Sequence, residues 1–235
     1  MTRPDKAALI VAHGQPSDPD PAEAEIAALA AKVQAVMPDW RVHSATLAKP
    51  GALADRLAEL GPQGLVYPLF MAGGWFTRTH LPARLAEAGG AAWRILPPFG
   101  EDPAVQALTV TLAREAAGTA APRDVRMILA AHGSFRSPAP SEIAYRMAER
   151  IRAETGFARV EPAFIDQTPQ IADVARGFPE GGFVLPFFAA RGGHVIDDLP
   201  EALAEAGFGG VLLPPVGLDP RVPALIAQSL RDGPA

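Results

Sequence analysis

Cysteine is missing from all 235 residues, which removes disulfide frameworks, cysteine-held iron–sulfur clusters and thiolate zinc sites together. Any metal must then be held by nitrogen and oxygen. Long apolar runs are missing too: Phe183–Ala190 is strand-sized, far short of the ~20 residues that span a bilayer. The apolar stretch Ala7–Ala12 is too short for a secretory signal. Positive charge is not in surplus, with 21 Lys and Arg against 26 Asp and Glu, a net charge of −5. A general nucleic-acid surface is therefore not expected. No G-x-x-x-x-G-K-[ST] loop is present, no G-x-G-x-x-G follows the first predicted strand, and no G-x-S-x-G elbow occurs. These absences point to a soluble, cytoplasmic protein with no nucleotide, no nucleic-acid partner and no membrane partner.

Apolar residues, by contrast, make up 49% of the chain, enough for a real core. The 22 glycines and 25 prolines amount to about a fifth of it, below the ~25–30% typical of disordered chains. The chain is also written twice. Ala12-His13-Gly14 recurs as Ala131-His132-Gly133, and Val66-Tyr67-Pro68-Leu69-Phe70 as Val184-Leu185-Pro186-Phe187-Phe188. His80-Leu81-Pro82 recurs as Asp198-Leu199-Pro200, and Leu96-Pro97-Pro98-Phe99-Gly100 as Leu213-Pro214-Pro215-Val216-Gly217. The offsets are 119, 118, 118 and 117, in order. A near-constant spacing of this kind indicates two homologous halves, 1–118 and 119–235, joined through Ala116–Asp124.

Each half reads as strands alternating with helices. In the second half the predicted strands are Met127–Ala131, Val160–Ile165, Phe183–Ala190 and Val211–Leu213. Pro186 interrupts the third, since proline cannot donate to a ladder. Ser141 is placed to cap a helix carrying Ile143, Met147 and Ile151 on one face, with Gly156 after its end. Thr168-Pro169 reads as the start of a helix ending before Gly177. In the first half a helix carries Ile26, Leu29 and Val33. The fold class is α/β: two tandem domains, each a parallel sheet flanked by helices, related by a pseudo-two-fold and facing each other. One chain can build a cleft in this way, so a monomer suffices.

In parallel sheets ligands gather at the carboxyl ends of strands. In the second half the strands lead to His132, to Asp166 and, through Arg191-Gly192-Gly193, to His194. Two imidazoles and a carboxylate form a set that suits a divalent ion such as iron, cobalt, nickel or zinc. Taken singly, each has a plainer use: a histidine at a strand end often bonds nearby backbone, and Asp166 could cap the helix after Thr168. The first half keeps His13 but has Ala48 opposite Asp166, and Phe76 opposite His194. Trp75 and Phe76 are either core or an apolar wall for a flat ligand. His80 lies close to them, and His43 is mid-strand and structural. His-Gly after a strand is shared with phosphohistidine enzymes of the Arg-His-Gly type, but alanine precedes it twice here, removing the phosphate-holding cation.

At these residues the chain resembles the class II chelatases of tetrapyrrole biosynthesis, and within them the CbiX/SirB-type sirohydrochlorin chelatases. The resemblance rests on Ala131-His132-Gly133-Ser134, on Ala163-Phe164-Ile165-Asp166, and above all on Gly192-Gly193-His194-Val195-Ile196-Asp197-Asp198-Leu199-Pro200. It extends over almost the whole chain as two tandem repeats. It implies that His132, Asp166 and His194 bind the metal, Asp166 standing where the family more often has glutamate. It implies insertion of Co(II) or Fe(II) into sirohydrochlorin, for cobalamin or siroheme, with His132 and His194 as the catalytic pair. The ion is then a substrate, and no nucleotide is needed. Sirohydrochlorin carries many carboxylates, so Arg136, Arg191 and Arg78 are the expected cationic contacts and Trp75 and Phe76 the apolar ones. Two other functions remain compatible with the residues: a relative that binds metal or tetrapyrrole without catalysis, and an α/β hydrolase or phosphatase using His132.

Overall fold

A computed structural model describes residues 6–178 and 182–233. In the first repeat the elements are β1 (Lys6–Ala12), α1 (Pro19–Val36), β2 (Trp40–Thr46), α2 (Ala52–Leu60), β3 (Leu65–Pro68), α3 (Leu81–Glu87), β4 (Arg94–Ile95) and α4 (Pro103–Ala117). In the second they are β5 (Arg126–Ala131), α5 (Ala139–Thr155), β6 (Arg159–Phe164), α6 (Ile171–Ala175), β7 (Phe183–Pro186), α7 (Leu199–Glu205), β8 (Val211–Leu212) and α8 (Val222–Asp232). Two four-stranded sheets result, ordered β2-β1-β3-β4 and β6-β5-β7-β8. All strand pairs are parallel. The central strands read as unbroken apolar runs because helices cover both faces. Ala8, Leu9, Ile10 and Val11 are fully buried, as are Ile128, Leu129 and Ala130.

The compact units are not cut where the sequence repeats are. One unit takes the chain up to Asp102 and then the segment from Pro220; the other is Pro103–Asp219. The last helix of each repeat therefore packs in the unit of the other repeat. α4 lies on α5, where Arg150 Nη1 donates to Gln106 Oε1 at 3.2 Å and Arg114 Nη2 to the Glu154 carbonyl at 2.7 Å. α8 lies on α1 and buries Val222, Ile226, Ala227 and Leu230, one face at helical spacing.

Asp102 ties α8 into its unit. Its buried carboxylate accepts hydrogen bonds from the Tyr67 hydroxyl at 2.9 Å and from the Ser229 hydroxyl on α8. Burial first, then the Asp102 charge and the hydrogen bond to it, push the Tyr67 phenol far above its ordinary value. The phenol thus stays neutral in the fold while the unfolded chain ionises near pH ~10. Its stabilising share is complete below that pH. Above it, stability should fall by about 1.4 kcal/mol per pH unit, because only the unfolded state loses the proton. Alkaline absorption titration of the two tyrosines checks this. The Tyr67 phenolate, assigned by difference against Tyr67→Phe, should appear only with unfolding, and Tyr67→Phe should flatten the alkaline limb. A Tyr67 phenolate formed in the folded protein would disprove it.

Local differences from the sequence reading have simple causes. β7 ends at Pro186 rather than at Ala190, although Phe187 N–H still donates to the Ala130 carbonyl at 2.7 Å. Ser141 does not cap α5, which starts two residues earlier behind Pro138; its hydroxyl donates to the Pro138 carbonyl. α6 starts at Ile171 rather than at Pro169, because Gln170 is still extended. Gly156 does end α5, in the left-handed region at φ +70°.

Candidate metal centre

In the second unit the register of β5 against β6 and β7 brings three strand ends to one rim. Ala131 pairs with Phe164, and Ala130 with Pro186. His132 follows β5 directly. Gly133 then turns at φ +72°, where a Cβ would lie 2.6 Å from Gln167 Cγ, so only glycine fits. Gln167 holds the turn by accepting the Ser134 N–H at 2.8 Å. Asp166 is placed two residues after β6 by its N–H, which donates to the His132 carbonyl at 2.9 Å. His194 comes from β7 through the segment Phe187–Gly193. It opens a single turn of π-helix, His194–Asp198, closed by Leu199 N–H on the His194 carbonyl and continuous with α7. Turns of this kind cluster at functional sites.

The three predicted ligands are brought together. The imidazoles of His132 and His194 meet edge to face, centroids 4.4 Å apart. Asp166 Oδ2 is 3.4 Å from His132 Nδ1. They do not form a closed shell: among the described residues, no three His, Asp or Glu side chains are arranged to hold an ion. The rings are held by their Nδ1 atoms. His132 Nδ1 lies 2.9 Å from the Gly133 carbonyl, and His194 Nδ1 lies 2.6 Å from Asp198 Oδ2. Carbonyl and carboxylate oxygens only accept, so each neutral ring carries its hydrogen on Nδ1 and presents a lone pair at Nε2. Asp198 was not among the predicted site residues, since its spacing of four from His194 pairs the two only once the helical turn between them is known.

The first unit repeats this frame with other side chains. Ala48 N–H donates to the His13 carbonyl at 2.9 Å, as Asp166 does to His132. Phe76 opens the matching π turn, Phe76–His80, and meets His13 edge to face at 4.6 Å. Trp75 is 60% exposed and Phe76 37%, so neither is core. Trp75 stacks on His80 with centroids 4.8 Å apart. His43 pairs with Glu59 at 3.0 Å, away from these rings on β2. Arg78 is exposed on the π turn of this unit, and Arg136 and Arg191 are exposed on the loops around His132 and His194.

The CbiX family profile matches residues 7–116 and 126–233, once in each repeat. The chain belongs to the CbiX family. A solved structure of CbiX, described as the terminal enzyme of siroheme biosynthesis in denitrifying bacteria, is 51% identical. It matches over 98% of this chain and 100% of its own, with a TM-score of 0.89. SirB from Bacillus subtilis, solved with Fe3+, shares the fold at a TM-score of 0.73 and 17% identity, over 97% of this chain and 94% of its own. A protein of Halobacterium salinarum described as a probable sirohydrochlorin cobaltochelatase is 30% identical over 79 residues, 33% of this chain and 27% of that protein. The match thus spans about a quarter of that relative's length. The CbiX-family frame occurs here twice, but only the second copy carries two histidines and a carboxylate at the strand ends. No helix among the described residues is long and apolar enough to cross a membrane.

Proposed function

We propose that this CbiX-family chain is a sirohydrochlorin chelatase, inserting a divalent ion into the macrocycle at His132, Asp166 and His194. The observation that carries the proposal is the meeting of two imidazoles at 4.4 Å, each held through Nδ1, beside the Asp166 carboxylate. Insertion exchanges two pyrrole N–H protons for one divalent ion. The ion must shed water, and the two protons must be accepted. His132 and His194 offer Nε2 lone pairs that replace water on the ion; once the ion has moved to the macrocycle, the same nitrogen can take a pyrrole proton. Asp166 adds the negative charge that favours a dication at the rim and stabilises an imidazolium after transfer. No redox step or nucleotide enters this balance.

Around the histidines, Arg136 and Arg191 are the proposed partners of the substrate carboxylates, since a guanidinium binds a carboxylate through two parallel N–H groups. On the first unit Arg78 has the same proposed role, and Trp75 and Phe76 are proposed as apolar contacts. Fe(II) is the ion favoured by kinship with the siroheme enzyme, and Co(II) by kinship with the Halobacterium protein. The test is anaerobic incubation with sirohydrochlorin and either ion, followed by visible absorption. A metallated spectrum formed faster than without protein supports the proposal. Bound macrocycle with no acceleration would identify a carrier instead, and no effect on either ligand would reject the site.

A further inference from the structure

We propose that Asp198 is a positioning residue for His194, fixing the tautomer and direction in which that ring meets an incoming divalent ion. The inference rests on the chelatase reading of the site and adds a residue to it. Asp198 Oδ2 lies 2.6 Å from His194 Nδ1, both half exposed, on one π turn. A carboxylate only accepts, so it selects the Nδ1–H form and leaves the lone pair on Nε2. Without that acceptor the ring can carry its hydrogen on Nε2 and has no lone pair there for the ion.

Two further observations single Asp198 out. It lies where the π turn runs on into α7 with a helical backbone, so no free helix end there calls for its carboxylate. The carboxylate is turned to the imidazole instead. In the first unit the same two positions of the π turn hold Phe76 and His80, so the ring ligand and the carboxylate behind it are both missing there. His132 is anchored differently, by the Gly133 carbonyl with Asp166 nearby. The two histidines therefore depend on separate groups, and a change at Asp198 should move one and spare the other.

The test uses the full chain with Asp198→Ala, Asp198→Leu and Asp198→Glu. In metal-free protein with neutral rings, long-range 1H–15N correlation should report His194 as Nδ1–H. In Asp198→Ala it should move towards Nε2–H, with the His132 signals unchanged. Co(II) affinity should fall 10–100-fold, as when an orienting partner of a metal-bound histidine is removed. Asp198→Glu should restore part of both signals. Asp198→Leu keeps the branched shape without an acceptor, and serves where the alanine protein does not fold. An unchanged His194 tautomer, or Co(II) affinity unchanged despite a shifted tautomer, would overturn the proposal. Should the parent protein bind Co(II) without accelerating insertion, the chelatase reading falls, while the tautomer and affinity results still decide the role of Asp198.

Discussion

His132→Ala and His194→Ala should each lower the rate of metal insertion by more than ~100-fold, exceeding the 10–100-fold expected for loss of an outer orienting group. His13→Ala should lower it far less. The difference follows from how many donors meet in each unit. His132 has the His194 ring beside it, centroids 4.4 Å apart, and the Asp166 carboxylate 3.4 Å from its Nδ1, so an ion entering there meets two Nε2 lone pairs and a nearby negative charge. His13 sits on an equivalent turn, its Nδ1 2.8 Å from the Gly14 carbonyl, but its neighbours in the matching places are Phe76 and Ala48. One imidazole cannot hold a divalent ion against water, and an aromatic hydrocarbon and a methyl group supply nothing to it. The measurement is the initial insertion rate for the three variants under identical macrocycle and Co(II), beside direct Co(II) titration. A dead His13 variant with an active His132 variant would move the site to the first unit.

Much of this site was legible in the residue pattern. The repeat at offsets of 117–119 pointed to two sheets, and apolar runs ending in His132 and before Asp166 pointed to the rim. Aligning the repeats paired His194 with Phe76, and both open a π turn. The exchange of α4 and α8 was not legible. Both helices carry apolar faces of the same period, and that period says which face is buried but not which sheet it covers. The π turns were also hidden, since one wide turn has too few residues to show a period. Asp198 stands four residues after His194, a spacing that pairs side chains only on a helical turn, so its hold on the ring was as hidden as the turn itself.

The recurring Pro-Pro-x-Gly element leads to a second large effect, at Gly217. The Gly217 N–H donates to the Phe188 carbonyl at 2.9 Å, so its backbone lies against the chain leaving β7. A Cβ there would fall 1.9 Å from the Ala189 carbonyl oxygen and 2.2 Å from its carbon. These are backbone atoms that no rotamer change can move, and the glycine is needed for contact rather than for a left-handed turn. Gly100 does the same in the first unit, bonding the Phe70 carbonyl at 3.1 Å, with a Cβ 2.0 Å from the Met71 oxygen. Gly217→Ala and Gly100→Ala should therefore cost similar stability, about 1–3 kcal/mol or more, as overpacking that forces backbone apart. Their effects on metal should differ. The segment displaced in Gly217→Ala continues through Ala190, Arg191, Gly192 and Gly193 into His194, so Co(II) binding should weaken at least ~10-fold, as when a ligand's support is disturbed. The segment displaced in Gly100→Ala leads to Phe76, which is no ligand, so Co(II) binding should hold. Denaturant unfolding and Co(II) titration of both variants make the comparison. Equal metal affinity in the two, with equal stability loss, would show that the β7 segment does not position His194.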